Sequence, residues 1–355
     1  MNKRILGFDI ARAFAILGMM FVNYKIIFTY GVVKHESIRC FLSIFEGRAA
    51  AVFLVLAGIG IGFMTKRSYE SESLSERNKD INTIIKRAIF LFIIGLMLFI
   101  GFEWTADILH YYGIYMAIII LLLYKSPKKI MIISSLILIS STVMQLVLNY
   151  STNWDSAFMN YYNIFTLKGF LLNSFFNGYH PVFPWIVFML FGLSLAKLDF
   201  RNNKTINKMI IHGLVIALSV ELISFIIIKS SNYSELIIYL FDTKPMNPTV
   251  LYIIAASAWA SVFIGICLKL SDKFNNSKLM DMLASTGQMA LTHYVAHSVI
   301  VLGVFFAIDK LKYRSELFVL VLSIVVFAFM VIFSNIWSKK YKRGPLELLM
   351  RKITG

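Results

Sequence analysis

Charge is what this sequence is short of. Only 15% of its 355 residues are Asp, Glu, Lys or Arg, against 58% hydrophobic, and the mean hydropathy is +0.73. Soluble domains carry nearer a quarter charged residues, so the composition excludes a water-soluble globule and points to an integral membrane protein. Cysteine is scarce as well. Cys40 and Cys267 are too few for a disulfide framework, and the topology below puts them near opposite faces. Soluble-enzyme triads, kinase motifs and metalloprotease motifs are missing. Gly58, Gly60 and Gly62 lack the strand and lysine of a phosphate-binding loop and read as a site of close helix packing. No internal repeat is visible, nor the paired broken helices of many transporters.

What the chain does have is apolar runs. At about 20 residues per spanning helix, they predict an all-α polytopic bundle of about ten spans, near 8–30, 45–64, 84–101, 108–124, 129–149, 181–197, 209–229, 249–268, 284–308 and 317–337, in a single domain over 1–355. The N-terminal run is longer than a signal-peptide core and lacks a small-residue cleavage pattern, so a retained first helix is expected. Net charge is +16, from 35 Lys and Arg against 19 Asp and Glu. In a membrane chain this reports orientation rather than nucleic-acid binding. With both termini in the cytoplasm, the loops divide their cations about three to one in favour of the inside, Lys3, Lys66, Arg67, Arg77 and Lys79 facing Lys34, Arg39, Lys168, Lys310 and Lys312. The stretch 68–80 reads as a solvated cytoplasmic loop. Residues 150–179, rich in aromatics and Asn, form the longest outside segment, in which 161–176 suits an interfacial helix, either covering a site or merely amphipathic.

Ionisable groups inside spans are costly, and those present are functional candidates. On the first helix Asp9, Arg12 and Asn23 share one face, and the 14 residues from Asp9 to Asn23 cover about 21 Å, most of the hydrocarbon thickness. This polar line fits a functional path. It equally fits an i, i+3 ion pair with Asn23 as glue between helices. His35, His110 and His180 fall at the outer ends of spans, which suggests proton-transfer chemistry on that side or interfacial decoration. His212 lies near the cytoplasmic start of the seventh span. His293 and His297 sit inside the ninth span, on one helix face with Thr286, but no Glu follows His293 and no third ligand stands out, so no metal is expected. Glu46 and Arg48 open the second span from outside, as an interfacial ion pair or as a guanidinium placed for a phosphate, carboxylate or carbonyl.

The opening Gly7-Phe8-Asp9-Ile10-Ala11-Arg12, running on to Asn23-Tyr24 and followed by Lys34-His35, resembles the first helix and outer loop of the heparan-α-glucosaminide N-acetyltransferase family. Gly47-Arg48 with Phe53 to Gly58, Asp107-Ile108-Leu109 with Tyr112-Gly113, Tyr179-His180-Pro181 with Pro184-Trp185, Ala290-Leu291-Thr292 with Tyr294 and His297, and Gly344-Pro345-Leu346-Glu347 with Arg351 resemble its bacterial YeiB-like relatives. The resemblance covers nearly the whole chain in order. Here Lys25-Ile26-Ile27 follows Asn-Tyr where the family has a Gly-rich stretch, and the spacing from Asn to His is one residue longer.

The resemblance implies a bacterial plasma-membrane acyltransferase. It would take acetyl-CoA from the cytoplasm and pass the acetyl group to an amine or hydroxyl of an extracytoplasmic acceptor, a sugar or envelope glycan. By position, His35 matches the catalytic histidine, as base or acyl carrier, and Asn23 the asparagine that steadies the oxyanion. Asp9 and Arg12, with Lys66 and Arg67, are then expected near the phosphates of the cofactor, and Glu46, Arg48, His110, His180 and His297 on the acceptor side. The partners implied are membrane lipid, acetyl-CoA and the acceptor, with a homodimer left open and no nucleic acid. A polytopic transporter, in which the polar line and outer histidines conduct a solute or protons, is the alternative from another class.

Overall fold

The computed structural model describes residues 4–29, 31–102, 104, 106–156, 158, 160–301, 303 and 313–355. Lys3, Lys310, Lys312 and most of the outer end of the ninth expected span lie outside the described residues. Every regular element among the described residues is a helix; a single antiparallel bridge joins Trp154 and Tyr161. In chain order the α-helices are α1 (Leu6–Thr29), α2 (Glu36–Ser43), α3 (Arg48–Met64), α4 (Lys66–Ser71), α5 (Leu74–Gly101), α6 (Leu109–Ile119), α7 (Pro127–Val147), α8 (Leu167–Leu172), α9 (Val182–Leu195), α10 (Asn203–Ser230), α11 (Glu235–Phe241), α12 (Val250–Lys273), α13 (Lys278–Gln288), α14 (Ala290–Ala296), α15 (Glu316–Ser338) and α16 (Pro345–Thr354), with short 3-10 or π turns continuing α6 over Ile120–Leu122, α8 over Asn173–Asn177 and α14 over His297–Val301.

Among the described residues seven helical stretches are long and apolar enough to cross a membrane, and eight if Leu167–Asn177 and Val182–Leu195, bent by 48°, count as one broken span. The chain is an integral membrane protein. α7, α10 and α15 turn most of their apolar surface outward, as with Ile139 at 61% and Phe329 at 67% exposure, which suits lipid as the neighbour. Two expected spans come out differently. The helix at 109–122 covers about 21 Å at 1.5 Å per residue, short of a bilayer crossing. The run expected over 284–308 breaks at Met289, whose φ of −109° and ψ of 27° end α13. Thr286 therefore belongs to a different helix from His293, and the single face expected for Thr286, His293 and His297 is not formed.

Two further stretches differ from expectation. Residues 68–80, expected as a loop, are largely helical, because the Ser73 hydroxyl accepts from the Glu76 N–H and starts α5 while Glu72 takes a left-handed conformation between α4 and α5. In the outer segment, helix begins at Leu167 rather than at 161, where Thr166 caps it. The preceding residues fold back on the Asn177 side chain: its amide donates to the carbonyls of Tyr150 and Thr152 and accepts from the Tyr161 hydroxyl at 2.8 Å.

The chain divides into two compact units, the first from 1–53, 261–353 and 355, the second from 54–260 and 354. In the first, α1 packs against α13 and α15. Gly287 of α13 lies so close to the Asp9 carbonyl that any Cβ there would collide with it. α14 begins immediately after the break at Met289, and Glu347 of α16 caps it: the carboxylate accepts from the Leu291 and Thr292 N–H groups at 2.7 and 3.1 Å and from the Thr292 hydroxyl at 2.6 Å. In the second unit α5 packs on α6, and α7 and α6 on α9. A Cβ at Gly58 would strike the backbone at Met189 and one at Gly62 the Ala196 side chain, so Gly58 and Gly62 of α3 do serve close helix packing.

Candidate functional site

The first unit holds the polar line of α1. At its N-terminal end Asp9, 1% exposed, is bound by more than the expected partner: Arg12 Nη1 donates to Oδ1 at 2.6 Å, and Arg4 donates through Nε to Oδ2 at 2.6 Å and through Nη2 to Oδ1 at 2.9 Å. Gln288 Nε2 adds a longer contact at 3.4 Å. A desolvated carboxylate needs such compensation. The i, i+3 spacing revealed Arg12. Arg4, in the non-helical segment before α1, and Gln288, 279 residues away, left no local signal.

At the other end of the line Asn23 is buried and its Nδ2 donates to His297 Nε2 at 3.2 Å. With Nε2 accepting, the His297 proton sits on Nδ1, which faces the His293 carbonyl at 3.2 Å, so the ring is held as the neutral tautomer between two partners. Tyr24 lies beside it, ring centroids 6.1 Å apart. His293 turns elsewhere and shares a 2.6 Å hydrogen bond with Ser334. The two histidines expected on one helix face therefore serve different neighbours, and among the described residues no group of three or more His, Cys, Asp or Glu could hold a metal ion.

His35 stands at the N-cap of α2 in extended conformation, and its exposed imidazole makes no capping bond. The loop carrying it is held through its backbone. The His35 and Lys34 N–H groups donate to Glu316 Oε2 at 2.9 and 3.1 Å, and Lys34 Nζ donates to the Tyr313 carbonyl at 3.1 Å. The far end of α2 is fixed by Lys25, which donates to the Ser43 hydroxyl at 2.7 Å and forms an ion pair with Glu46. Glu46 thus pairs with Lys25, while Arg48 donates its backbone N–H to the Glu46 carbonyl at 2.7 Å. Gly47, at φ +65°, makes the turn between them.

The second unit holds the other histidines. His110 Nδ1 donates to Asp107 Oδ2 at 2.9 Å, and the His110 backbone N–H donates to the same oxygen at 3.0 Å, with both side chains buried. His180 lies 6.0 Å from the Tyr111 ring and 4.6 Å, edge on, from Trp185. Tyr111 donates its hydroxyl to Asn173 Oδ1, and the Tyr115 hydroxyl to the His180 carbonyl. Lys66 and Arg67 are exposed on α4 and paired with Glu70 at 3.7 Å and Glu76 at 3.0 Å.

A helical membrane domain with a buried Asn–His pair at one end of its first helix and a compensated carboxylate at the other is the setting for the comparison with known proteins. Residues 4–242 match the family described as heparan-alpha-glucosaminide N-acetyltransferase, catalytic, and residues 194–355 match one described only as a protein of unknown function, DUF418. The chain belongs to the heparan-α-glucosaminide N-acetyltransferase and YeiB-like family. It is similar to the uncharacterised protein YeiB of Escherichia coli (strain K12), 32% identical over 99 residues, 28% of this chain and 25% of that protein. It is also similar to an uncharacterised 39.9 kDa protein encoded in the amylase 3' region of Bacillus acidopullulyticus, 30% identical over 98 residues, 27% of this chain and 28% of that protein. The matched stretch thus spans about a quarter of the length of these curated relatives.

Proposed function

We propose that this protein is a membrane acetyltransferase that takes acetyl-CoA from the cytoplasm and acetylates an amine or hydroxyl of an extracytoplasmic acceptor, a sugar or envelope glycan, at a bacterial plasma membrane. The observation that carries the reading is the division of α1, with the Asp9–Arg4–Arg12 cluster at one end and Asn23, oriented by His297, at the other. Coenzyme A is long and polyanionic with its thioester at the far tip, which suits a cation-bearing mouth and a remote transfer site. In this reading Arg12, with Asp9, Lys66 and Arg67, meets the cofactor phosphates. His35 takes the proton from the acceptor as its nitrogen or oxygen attacks the thioester carbonyl, or itself attacks and then passes the acetyl group to the acceptor; the C–S bond breaks and the coenzyme A thiolate leaves, receiving the acceptor's proton. Asn23 donates a hydrogen bond to the oxyanion of the tetrahedral intermediate. Glu46, Arg48, His110, His180 and His297 serve the acceptor side. One acyltransferase domain over 1–355 with both termini inside completes the proposal.

The test is release of free thiol from acetyl-CoA by purified protein in detergent, with glucosamine as acceptor. His35→Ala should bind acetyl-CoA by calorimetry yet lose about 10² to 10⁴ of transfer, the usual loss of a base. More than about a tenth of wild-type turnover left would remove His35 from the role, and a solute carrier would consume no acetyl-CoA at all. Cysteines placed at Ser73 and Ser231 should react with an impermeant reagent from opposite sides.

A further inference from the structure

Glu316 is a buried carboxylate with an uncommon set of partners. It is 1% exposed, it lies in the first turn of α15, and it accepts from two consecutive backbone N–H groups far away in sequence: His35 to Oε2 at 2.9 Å, and Lys34 to Oε2 at 3.1 Å and Oε1 at 3.3 Å. An ionised carboxylate is costly to bury. It is tolerated here by donors aimed at both oxygens and by the helix N-terminus it occupies. What those donors share is position, since they immediately precede α2 and one belongs to the residue assigned the chemistry. The same loop is fastened on either side, by the Arg314 N–H donating to the Phe28 carbonyl at 2.8 Å and by Lys34 Nζ on Tyr313. With Lys25 on Ser43 and Glu46 at the other end of α2, the segment is clamped at both ends while the His35 imidazole stays exposed and makes no capping bond.

We propose that Glu316 is a positioning residue for acetyl transfer: through its backbone bonds it fixes the His35 loop so that the imidazole is presented in one place. This rests on the acyl-transfer reading and on His35 as its base or acyl carrier. A packing role alone would not need a charge in a buried position. Catalysis would, because a displacement of about 1 Å at a reacting group costs as much as 10²-fold in rate.

Glu316→Gln keeps the shape but weakens the acceptor, since one carboxylate oxygen becomes an amide NH2 group that only donates. Expected in this variant are an unchanged KM for acetyl-CoA, a kcat lower by roughly 10- to 100-fold, and exchange of the Lys34 and His35 amides, read by mass spectrometry, faster by about tenfold or more. Glu316→Asp should recover part of both effects. Wild-type kcat or wild-type exchange in Glu316→Gln overturns the proposal. If that variant does not fold, Glu316→Asp decides: kcat and loop exchange shifting together support it, and either shifting without the other overturns it. Wild-type protein without transfer, or His35→Ala with full transfer, overturns the acyl-transfer reading and the proposal with it. Wild-type activity together with a silent Glu316 variant marks a failure at Glu316 alone.

Discussion

His297 and His110 are both buried histidines tied to one polar side chain, and they are tied by opposite means. His110 meets Asp107 three residues away, through its ring and its own backbone N–H. His297 meets Asn23 across 274 residues, so that pair exists only when α1 and α14 are packed. The first is a local carboxylate–imidazole motif that the helix start at Leu109 brings together by itself. The second is an amide–imidazole pair and reports on tertiary structure. A local pair suits holding a helix start in a fixed shape. A long-range pair suits orienting an amide that must keep a donor for a ligand.

The comparison breaks most readily at Asn23. Asn23→Ala should lower acetyl transfer by roughly 10² to 10³, the loss seen for one oxyanion donor, with acetyl-CoA binding retained in calorimetry. An equal and selective loss of turnover in Asp107→Ala would erase the distinction. Asp107→Ala should instead show itself in stability, since the His110 N–H and Nδ1–H lose their acceptor together, at about 2 to 4 kcal/mol on the scale of buried unsatisfied donors. Thermal unfolding in detergent would read it. His297→Ala acts on Asn23 at one remove, so a loss of roughly 10- to 100-fold in transfer is expected, by analogy with groups that orient a ligand-contacting residue. Restored turnover in His297→Gln, whose side-chain carbonyl can still accept from Asn23, would show that the bond and not the imidazole is needed. The smallest effect of a single substitution is expected at Arg12. Arg12→Ala should cost about 1 kcal/mol or less, because Arg4 keeps both carboxylate oxygens bonded, while Arg4→Ala with Arg12→Ala should cost roughly 3 kcal/mol by leaving a desolvated charge. Equal unfolding temperatures for the single and double variants would contradict this.

The sequence made some of this legible and hid the rest, and the division follows range. Long apolar helices such as α1, α10 and α15 announce themselves through composition. The Asp9–Arg12 pair and the close packing at Gly58 follow from short spacings. The break at Met289 has a local trace in Ser285-Thr286-Gly287-Gln288 just before it, but its partners are tertiary: Gly287 abuts the Asp9 backbone, and Glu347 supplies the acceptor that the start of α14 needs. Partners of site residues were hidden for the same reason. Lys25 was visible as a cation within a span, yet its ion pair with Glu46 requires the turn at Gly47. Glu316 stands just ahead of the run expected over 317–337 and drew no reading from the sequence. Its hold on Lys34 and His35 depends on the helices between them.

Glu347 has a consequence for biogenesis. The donors it satisfies at Leu291 and Thr292 emerge from the ribosome well before it does, with all of α15 translated in between. During that interval the start of α14 carries N–H groups without this acceptor, in a segment bound for an apolar surrounding where such groups are costly. Assembly of the first unit therefore finishes from the C-terminal side, when α16 docks its carboxylate. Until then α14, and with it the His297 that orients Asn23, has a start whose N–H groups still await their acceptor.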